Sequence, residues 1–570
     1  MNDIRRTILW VIFGFSMVLL WDQWQIYNGH KATFFASSTK TVVAPAPSAA
    51  PSSVPTGVPA ASTVAAAAQV PGAATPVAPV ALAPAAARER VVVTTDVFKA
   101  TFDTEGGSLV RTELLKHLDK ADKTKAFVLL DNRKDYIYTA QTGLIAGAAG
   151  GVFPNHKTLM TLVPGERTLK ADSKELVLRF ESPELGGVKL VKTYTLTRGS
   201  YAIAVKQEVV NVGAAAVSPQ LYLQLVRDGN KPLGESSSYS TFTGPAIYTD
   251  AKKYQKIDFK NIDKDNVDVE KTAQNGYVAM VQHYFVSAWL LGDGIKRDLF
   301  VRKVDTNLYA VGMITPIDNI APGRSKTVEA KLFVGPQEEN VLESLTPGLE
   351  LVKDYGWLTI LAKPLYWLLE KLESYIGNWG WSIMALVLLL KAAFYWLNAK
   401  AYASMAKMKS VNPKVTEMRE RFKDNPKQIQ QEMMRIYREE KVNPMGGCFP
   451  IMVQIPVFIA LYWVLLATVE MRNAPWIMWI HDLSSPDPFY ILPLVMTLTT
   501  VLQTSLNPAP PDPMQAKMMW FMPLAFSVMF FFFPAGLVLY WITNNVLSIT
   551  QQWIINTRLG VPPQFHFPKF

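Results

Sequence analysis

Apolar residues fall in long blocks separated by polar stretches, so the chain divides into membrane-type and soluble segments before any motif is considered. The first block, Ile8 to Tyr27, follows Arg5 and Arg6 and carries one acid, Asp22, near its far end. It runs into Trp21, Asp22, Gln23 and Trp24 with no small-x-small cleavage site, which favours a retained signal anchor over residues 1–27 to a cleaved signal peptide. The two arginines put its N-terminus in the cytoplasm. From Thr41 to Ala87 there is no charge and little besides Ala, Pro, Val, Ser and Thr. With few large apolar groups to bury, 28–90 is predicted to be a disordered periplasmic tether. The pattern then changes to β-rich runs: Val91–Phe102, Leu176–Phe180, Val188–Leu196, Tyr201–Val210, Leu221–Val226, Leu299–Val304 and Val328–Val334. Turn signals such as Asp103–Gly107, Gly186-Gly187 and Arg227–Asn230 separate them. This predicts an all-β sandwich over 91–350, on the periplasmic side.

Helical periodicity takes over from residue 351. Over 351–377, Trp357, Leu358, Leu361, Leu365, Leu368, Leu369 and Leu372 share one side, with Lys363, Glu370, Lys371 and Glu373 elsewhere. The charges and Pro364 make it a poor span and a good interfacial helix. Trp379 to Leu397 is long enough to span as a helix, so 378–398 is read as the second transmembrane segment. Residues 399–445 are soluble, with 11 Lys or Arg against 6 Asp or Glu from Lys400 to Lys441, and therefore cytoplasmic. Met408, Val411, Val415, Met418 and Phe422 form the seam of one helix, with Pro413 a site for a kink or restart. Asn425-Pro426 opens a second helix, with Ile429, Met433 and Ile436 on one face. The resulting hairpin is either a solvated connector or a docking arm. Its length favours the arm, with Lys407, Lys409, Arg419, Arg421, Arg435 and Arg438 as the basic docking residues.

Four more spans follow in 446–557: Cys448–Val469, Phe489–Leu506, Met518–Phe533 and Ala535–Ile555. Trp476 and Trp479 mark the loop after the first of these as periplasmic, and 558–570 is a cytoplasmic tail. The fold class predicted is a mixed membrane protein. It has an all-β periplasmic domain and an α-helical membrane core of five spans, preceded by the signal-anchor helix, with both termini inside.

Charge and composition sharpen this only in places. A net charge of +10 on a Met- and aromatic-rich chain with apolar spans points to a basic membrane- or ribosome-facing patch rather than a nucleic-acid sequence. The lone Cys448 excludes an intramolecular disulfide. His117, His156 and His283 lack metal-ligand spacing, and no nucleophile, acid pair or phosphate-binding loop appears, so neither a catalytic residue nor a metal or cofactor is predicted.

Lys391 is the one charge inside the second span, about 15 Å beyond Trp381. At mid-depth a lysine costs on the order of 3 kcal/mol, so it faces a partner or a wet cavity, or it snorkels to the cytoplasmic surface. The last span places Asn544, Ser548 and Gln551 or Gln552 at intervals of three or four, near Tyr540, Trp541 and Asn545. Gln454 and Gln503 come from two other spans. These amides either line an internal groove or glue helices together. Met518–Phe533 is short for a span, and Pro450, Pro456, Pro493 and Pro523 free backbone carbonyls, so the membrane around the core is expected to be thin.

Lys400–Met408, Gln431–Met434, Glu440–Pro450, Trp479–Leu483, Asp487–Pro493 and Pro534–Trp541 resemble the YidC/Oxa/Alb family, and the order of parts resembles its Gram-negative form over essentially the whole chain. The resemblance implies a membrane protein insertase and chaperone of the inner membrane, with a supersandwich periplasmic domain. It implies nascent membrane proteins, the Sec translocon, the ribosome and membrane lipids as partners. It also implies that the groove charge at Lys391 engages the acidic flank of a substrate. The family usually has arginine at this position, and the second aromatic of Tyr540-Trp541 is often tyrosine. The alternatives are a secondary transporter or channel for a small anion, and a periplasmic hydrolase or sugar-modifying enzyme. No intramembrane carboxylate or repeated halves support the transporter.

Overall fold

A computed structural model describes residues 88–120, 122–146, 151–232, 241–422, 425–440, 449–507, 513–560 and 564–565. The predicted signal anchor 1–27, the tether up to residue 87, Cys448 and most of the tail lie outside them. The chain forms two compact units, one reaching to Lys353 and one from Asp354 onward.

The first unit is built from two nine-stranded sheets, all of whose strand pairings are antiparallel. One sheet runs in the order Arg90–Thr94, Phe98–Asp103, Ser108–Leu118, Ala126–Arg133, Tyr136–Ile145, Gln220–Asp228, Leu308–Pro316, Arg297–Asp305 and Thr272–Ala273. The other runs Lys253–Lys256, Gly244–Thr249, Tyr277–Val281, Phe285–Leu291, Ser325–Pro336, Ala202–Asn211, Val188–Thr197, Glu175–Glu181 and Thr161–Leu162. Strands with one buried face were legible as alternation, as in Glu175–Glu181, where Leu176, Leu178 and Phe180 are buried and Val177 is half exposed. Tyr277–Val281, Phe285–Leu291 and Leu308–Pro316 were missed because they are buried on both faces, or nearly so, and no alternation survives. The Val91–Phe102 run is two strands, split at Thr95–Val97.

A buried polar seam ties the sheets together. The Tyr138 hydroxyl lies 2.5 Å from Ser287 Oγ, Thr142 Oγ1 donates to Gln207 Oε1 at 2.8 Å, and Trp289 Nε1 donates to the Gln224 carbonyl at 3.1 Å. Lys192, fully buried, donates to the carbonyls of Gly106 and Thr142, both at 2.6 Å. Loss of hydration lowers its pKa to about 7. His156 Nδ1 sits 2.6 Å from the Tyr222 hydroxyl, and burial beside Lys192 holds its pKa down at about 3. Among the described residues no group of His, Cys, Asp or Glu could hold a metal.

The second unit is helical: α1 (Thr359–Ile376), α2 (Trp379–Ala393), α3 (Tyr395–Arg421), α4 (Pro426–Glu439), α5 (Phe449–Ala467), α6 (Ile491–Leu506), α7 (Pro513–Met529) and α8 (Ala535–Arg558). Its core gathers Ala362, Tyr366 and Leu369 of α1, Ile383, Leu386 and Val387 of α2, Leu461 and Val464 of α5, and Leu537 to Tyr540 of α8. In α1 the buried face is Ala362, Tyr366 and Leu369, flanked by Leu358, Leu365, Leu368 and Leu372, whereas Trp357, Ile360 and Trp367 are exposed. Of the predicted apolar side only Trp357 and Leu361 are exposed, and Ile360 and Trp367 lie off it.

No single described helix is long and apolar enough to cross a membrane. The second predicted span is not one straight helix: α2 and α3 pass that test only together and are bent by 67° at Phe394. Val453–Ala467, Ile491–Leu506 and Ala516–Phe532 are shorter apolar helices. α8 has the length but carries the polar stripe, which lowers its hydropathy. Pro413 neither breaks nor restarts α3, which runs through it. The hairpin of α3 and α4 closes on the predicted seam, with Val411, Val415 and Met418 buried against Met408, Phe422, Ile429, Met433 and Ile436. Asn425 caps α4 by accepting from Gln428 N at 3.3 Å, with Pro426 in the first turn.

Candidate functional site

Two anchors fix the helices that carry the site. Asn378 caps α2 by accepting from Trp381 N at 3.2 Å, while its own amide donates to the Pro475 carbonyl. Gly380 lets α2 approach the Trp476 ring so closely that a Cβ would lie 2.2 Å from it. At the start of α8, Ala535 N and Gly536 N donate to the carbonyls of Ser485 and Leu483 at 2.8 and 2.9 Å. These bonds satisfy two orphan donors of the first turn and set the rotational position of everything downstream.

That position turns Ser548 towards α2. Lys391, 5% exposed, donates from Nζ to Ser548 Oγ at 2.7 Å, and the Ser548 hydroxyl in turn donates to the Asn544 carbonyl at 2.7 Å. Tyr402 of α3 also reaches Ser548. No carboxylate among the described residues pairs with Lys391. The described surroundings offer its ammonium, a three-proton donor, a single hydroxyl.

The predicted amides divide into two sets. Gln551 stays with Lys391, donating to its carbonyl at 3.2 Å and accepting from Asn398 Nδ2 at 3.3 Å. Gln454 of α5 donates to Asn398 Oδ1 at 3.4 Å. Asn545 and Gln552 face α6 instead: Asn545 donates to Thr499 and Thr500 at 3.2 and 2.9 Å, and Gln552 donates to the Leu506 carbonyl at 3.3 Å. Gln551, Gln454, Asn545 and Gln552 thus all bond from one helix to another. Gln503 is half-buried on α6 and is not among the hydrogen-bond partners of Lys391. Tyr540 and Trp541 form an aromatic cluster, with Phe458 stacked on Tyr540 at 5.9 Å and edge-on to Trp541 at 4.8 Å.

Asn398 and Tyr402 were missed by sequence reading. Their signal was spacing: they follow Lys391 by 7 and 11 residues, the same helical face. The basic residues predicted for docking lie apart from this cluster on the hairpin. Lys407, Arg421, Arg435 and Arg438 are exposed, and Lys409 and Arg419 half-buried. Arg435 is engaged locally by Glu432 at 3.2 Å and Glu439 at 3.3 Å.

Comparison with known proteins covers the whole arrangement. The family model described as the YidC periplasmic domain matches residues 90–368, and that of the 60Kd inner membrane protein matches 371–561. The chain is 56% identical over 559 residues to the membrane protein insertase YidC of Cupriavidus necator, covering 98% of each chain. It is 53% identical to that of Burkholderia multivorans, covering 98% of this chain and 99% of the other. A crystal structure titled as an active YidC insertase with its first transmembrane domain resolved matches 82% of this chain and 92% of that one, at 17% identity and a TM-score of 0.37. A galactose mutarotase related enzyme from Lactobacillus acidophilus matches 43% of this chain and 97% of its own, at 10% identity and a TM-score of 0.29. On the full-length identity to curated relatives, the chain belongs to the YidC family of membrane protein insertases.

Proposed function

We propose that this protein is an insertase and chaperone that passes hydrophobic segments of nascent proteins from the cytoplasm into the bacterial inner membrane, acting alone or beside the Sec translocon. In this reading the signal anchor and five spans hold the chain in the membrane with both termini in the cytoplasm. The β unit stands in the periplasm, and the basic hairpin meets the ribosome or the emerging chain. The observation that carries the reading is the ammonium of Lys391, buried between α2 and α8 with a serine hydroxyl and, among the described residues, no carboxylate paired with it. A carboxylate at about 4 Å in an effective dielectric near 20 gains about 4 kcal/mol from such a cation. That matches the cost of one Asp at the bilayer centre, about 3 kcal/mol, so one acidic residue in a translocated flank is held transiently without being trapped. The remaining barrier falls to hydration and to the short apolar length of helices such as Ala516–Phe532. Partitioning of the substrate helix and the membrane potential supply the energy.

The test is insertion of a single-span substrate into liposomes, followed by protease protection, with and without acids in its translocated flank. Lys391→Ala is expected to lose the acidic substrate alone, and Lys391→Arg to retain it. Equal insertion by all three proteins sinks the role of the cation, and anion flux without any substrate chain would favour the transporter.

A further inference from the structure

The backbone breaks just past Lys391, and a break in a span must be held by something. Phe394 sits at the break: its N–H donates back to the Leu390 carbonyl and its carbonyl accepts from Asn398 N, both at 3.0 Å. A side chain from another helix spans the same gap. Gln551 Nε2 donates to the Lys391 carbonyl on the near side, while Gln551 Oε1 accepts from Asn398 Nδ2 on the far side. The amide thus uses its two ends on the two halves of the broken helix. Gln454 completes the line from α5 by donating to Asn398 Oδ1. One turn earlier on α8, Ser548 receives the Lys391 ammonium. α8 therefore holds both the backbone and the side chain of the same lysine.

We propose that Gln551 is a positioning residue, a clasp that sets the bend between α2 and α3 and thereby aims the Lys391 ammonium at Ser548. The proposal rests on the insertase reading for its consequence but not for its geometry. Carbonyls freed at a helix break are held by side chains of neighbouring helices, and an amide donates from one atom while it accepts at another about 2 Å away. Without the clasp, α2 and α3 relax towards a continuous helix, which restores backbone bonds. Lys391 is then carried away from Ser548.

The experiment measures the bend directly in the full chain in nanodiscs. Spin labels at Ala385→Cys and Ser410→Cys, in a Cys448→Ser background, report across Phe394. At 1.5 Å per residue the two arms are about 14 and 24 Å, so the 67° bend gives about 32 Å and a straight helix about 38 Å. Gln551→Met, which keeps length and removes hydrogen bonding, is expected to shift the distribution by up to about 6 Å or broaden it to that limit. Asn398→Leu should do the same, and the double variant no more than either alone. Gln552→Met, which removes an amide bonded to α6, should leave the distance unchanged. In the liposome assay Gln551→Met should slow the acidic-flank substrate in the wild-type background and have no further effect on top of Lys391→Ala. A distance unmoved in both Gln551→Met and Asn398→Leu, or additive shifts in the double variant, overturns the clasp. If the distance moves as expected while the wild type inserts nothing, the clasp stands and the insertase reading falls.

Discussion

Raising the pH from 7 to 9 is expected to stabilise the β unit, and Lys192→Met to abolish most of that gain. In the unfolded chain a lysine holds its proton to about 10.5, whereas Lys192 in the fold releases it near 7. Between those values the unfolded chain binds more protons than the folded one, so the free energy of unfolding rises with pH. The slope approaches about 1.4 kcal/mol per pH unit once Lys192 is neutral in the fold. Allowing for half-protonation at pH 7, the gain by pH 9 is about 2 kcal/mol, or about 4 to 8 °C in melting temperature for a unit of this size. The cause is geometric: two carbonyls at 2.6 Å satisfy two of the ammonium's protons, but among the described residues no carboxylate pairs with it to replace the lost hydration. Calorimetry of the detergent-solubilised chain at pH 7, 8 and 9 reads the effect, with the helical unit's transition as internal reference. Parallel pH slopes in wild type and Lys192→Met would refute the reasoning.

Two further substitutions test the packing. Arg297 is buried and donates to the carbonyls of Ile295, Gly276, Leu291 and Gln274 at 2.8 to 3.3 Å, and also to Gly292. Arg297→Met removes these bonds together, leaving the Gln274 carbonyl to Gly294 N at 2.8 Å, and should cost the β unit about 3 kcal/mol in urea unfolding, whereas a change under about 1 kcal/mol would show that water replaces the guanidinium. Gly380→Ala places a methyl against the Trp476 ring and should cost about 1 to 3 kcal/mol, visible as a changed tryptophan emission and a lower melting temperature.

How much the sequence disclosed depended on the kind of burial. Amphipathic elements were legible: the hairpin seam at Met408, Val411, Val415 and Met418, the Asn425 cap, and one-faced strands such as Glu175–Glu181 all appear where periodicity put them. Strands buried on both faces were not, since Phe285–Leu291 carries no polar face to betray its period. The bend at Phe394 was also hidden, because the run from Trp379 to Leu397, apolar but for Lys391 and Ser382, reads as one helix and the amide that crosses the break comes from 160 positions away. Lys391 and Ser548 were both found, yet their pairing followed only from the register that Ser485 and Leu483 impose on the start of α8.

The bend has a mechanical corollary. Beyond Phe394, α3 continues unbroken for 27 residues, about 40 Å of stiff rod rooted in the site that holds Lys391. Rotation of only 10° at the root sweeps its tip through about 7 Å, more than one helical turn. A small turn at the root would thereby become a displacement of several ångströms at the far end of α3, and a load applied there would act on the root through the same long arm.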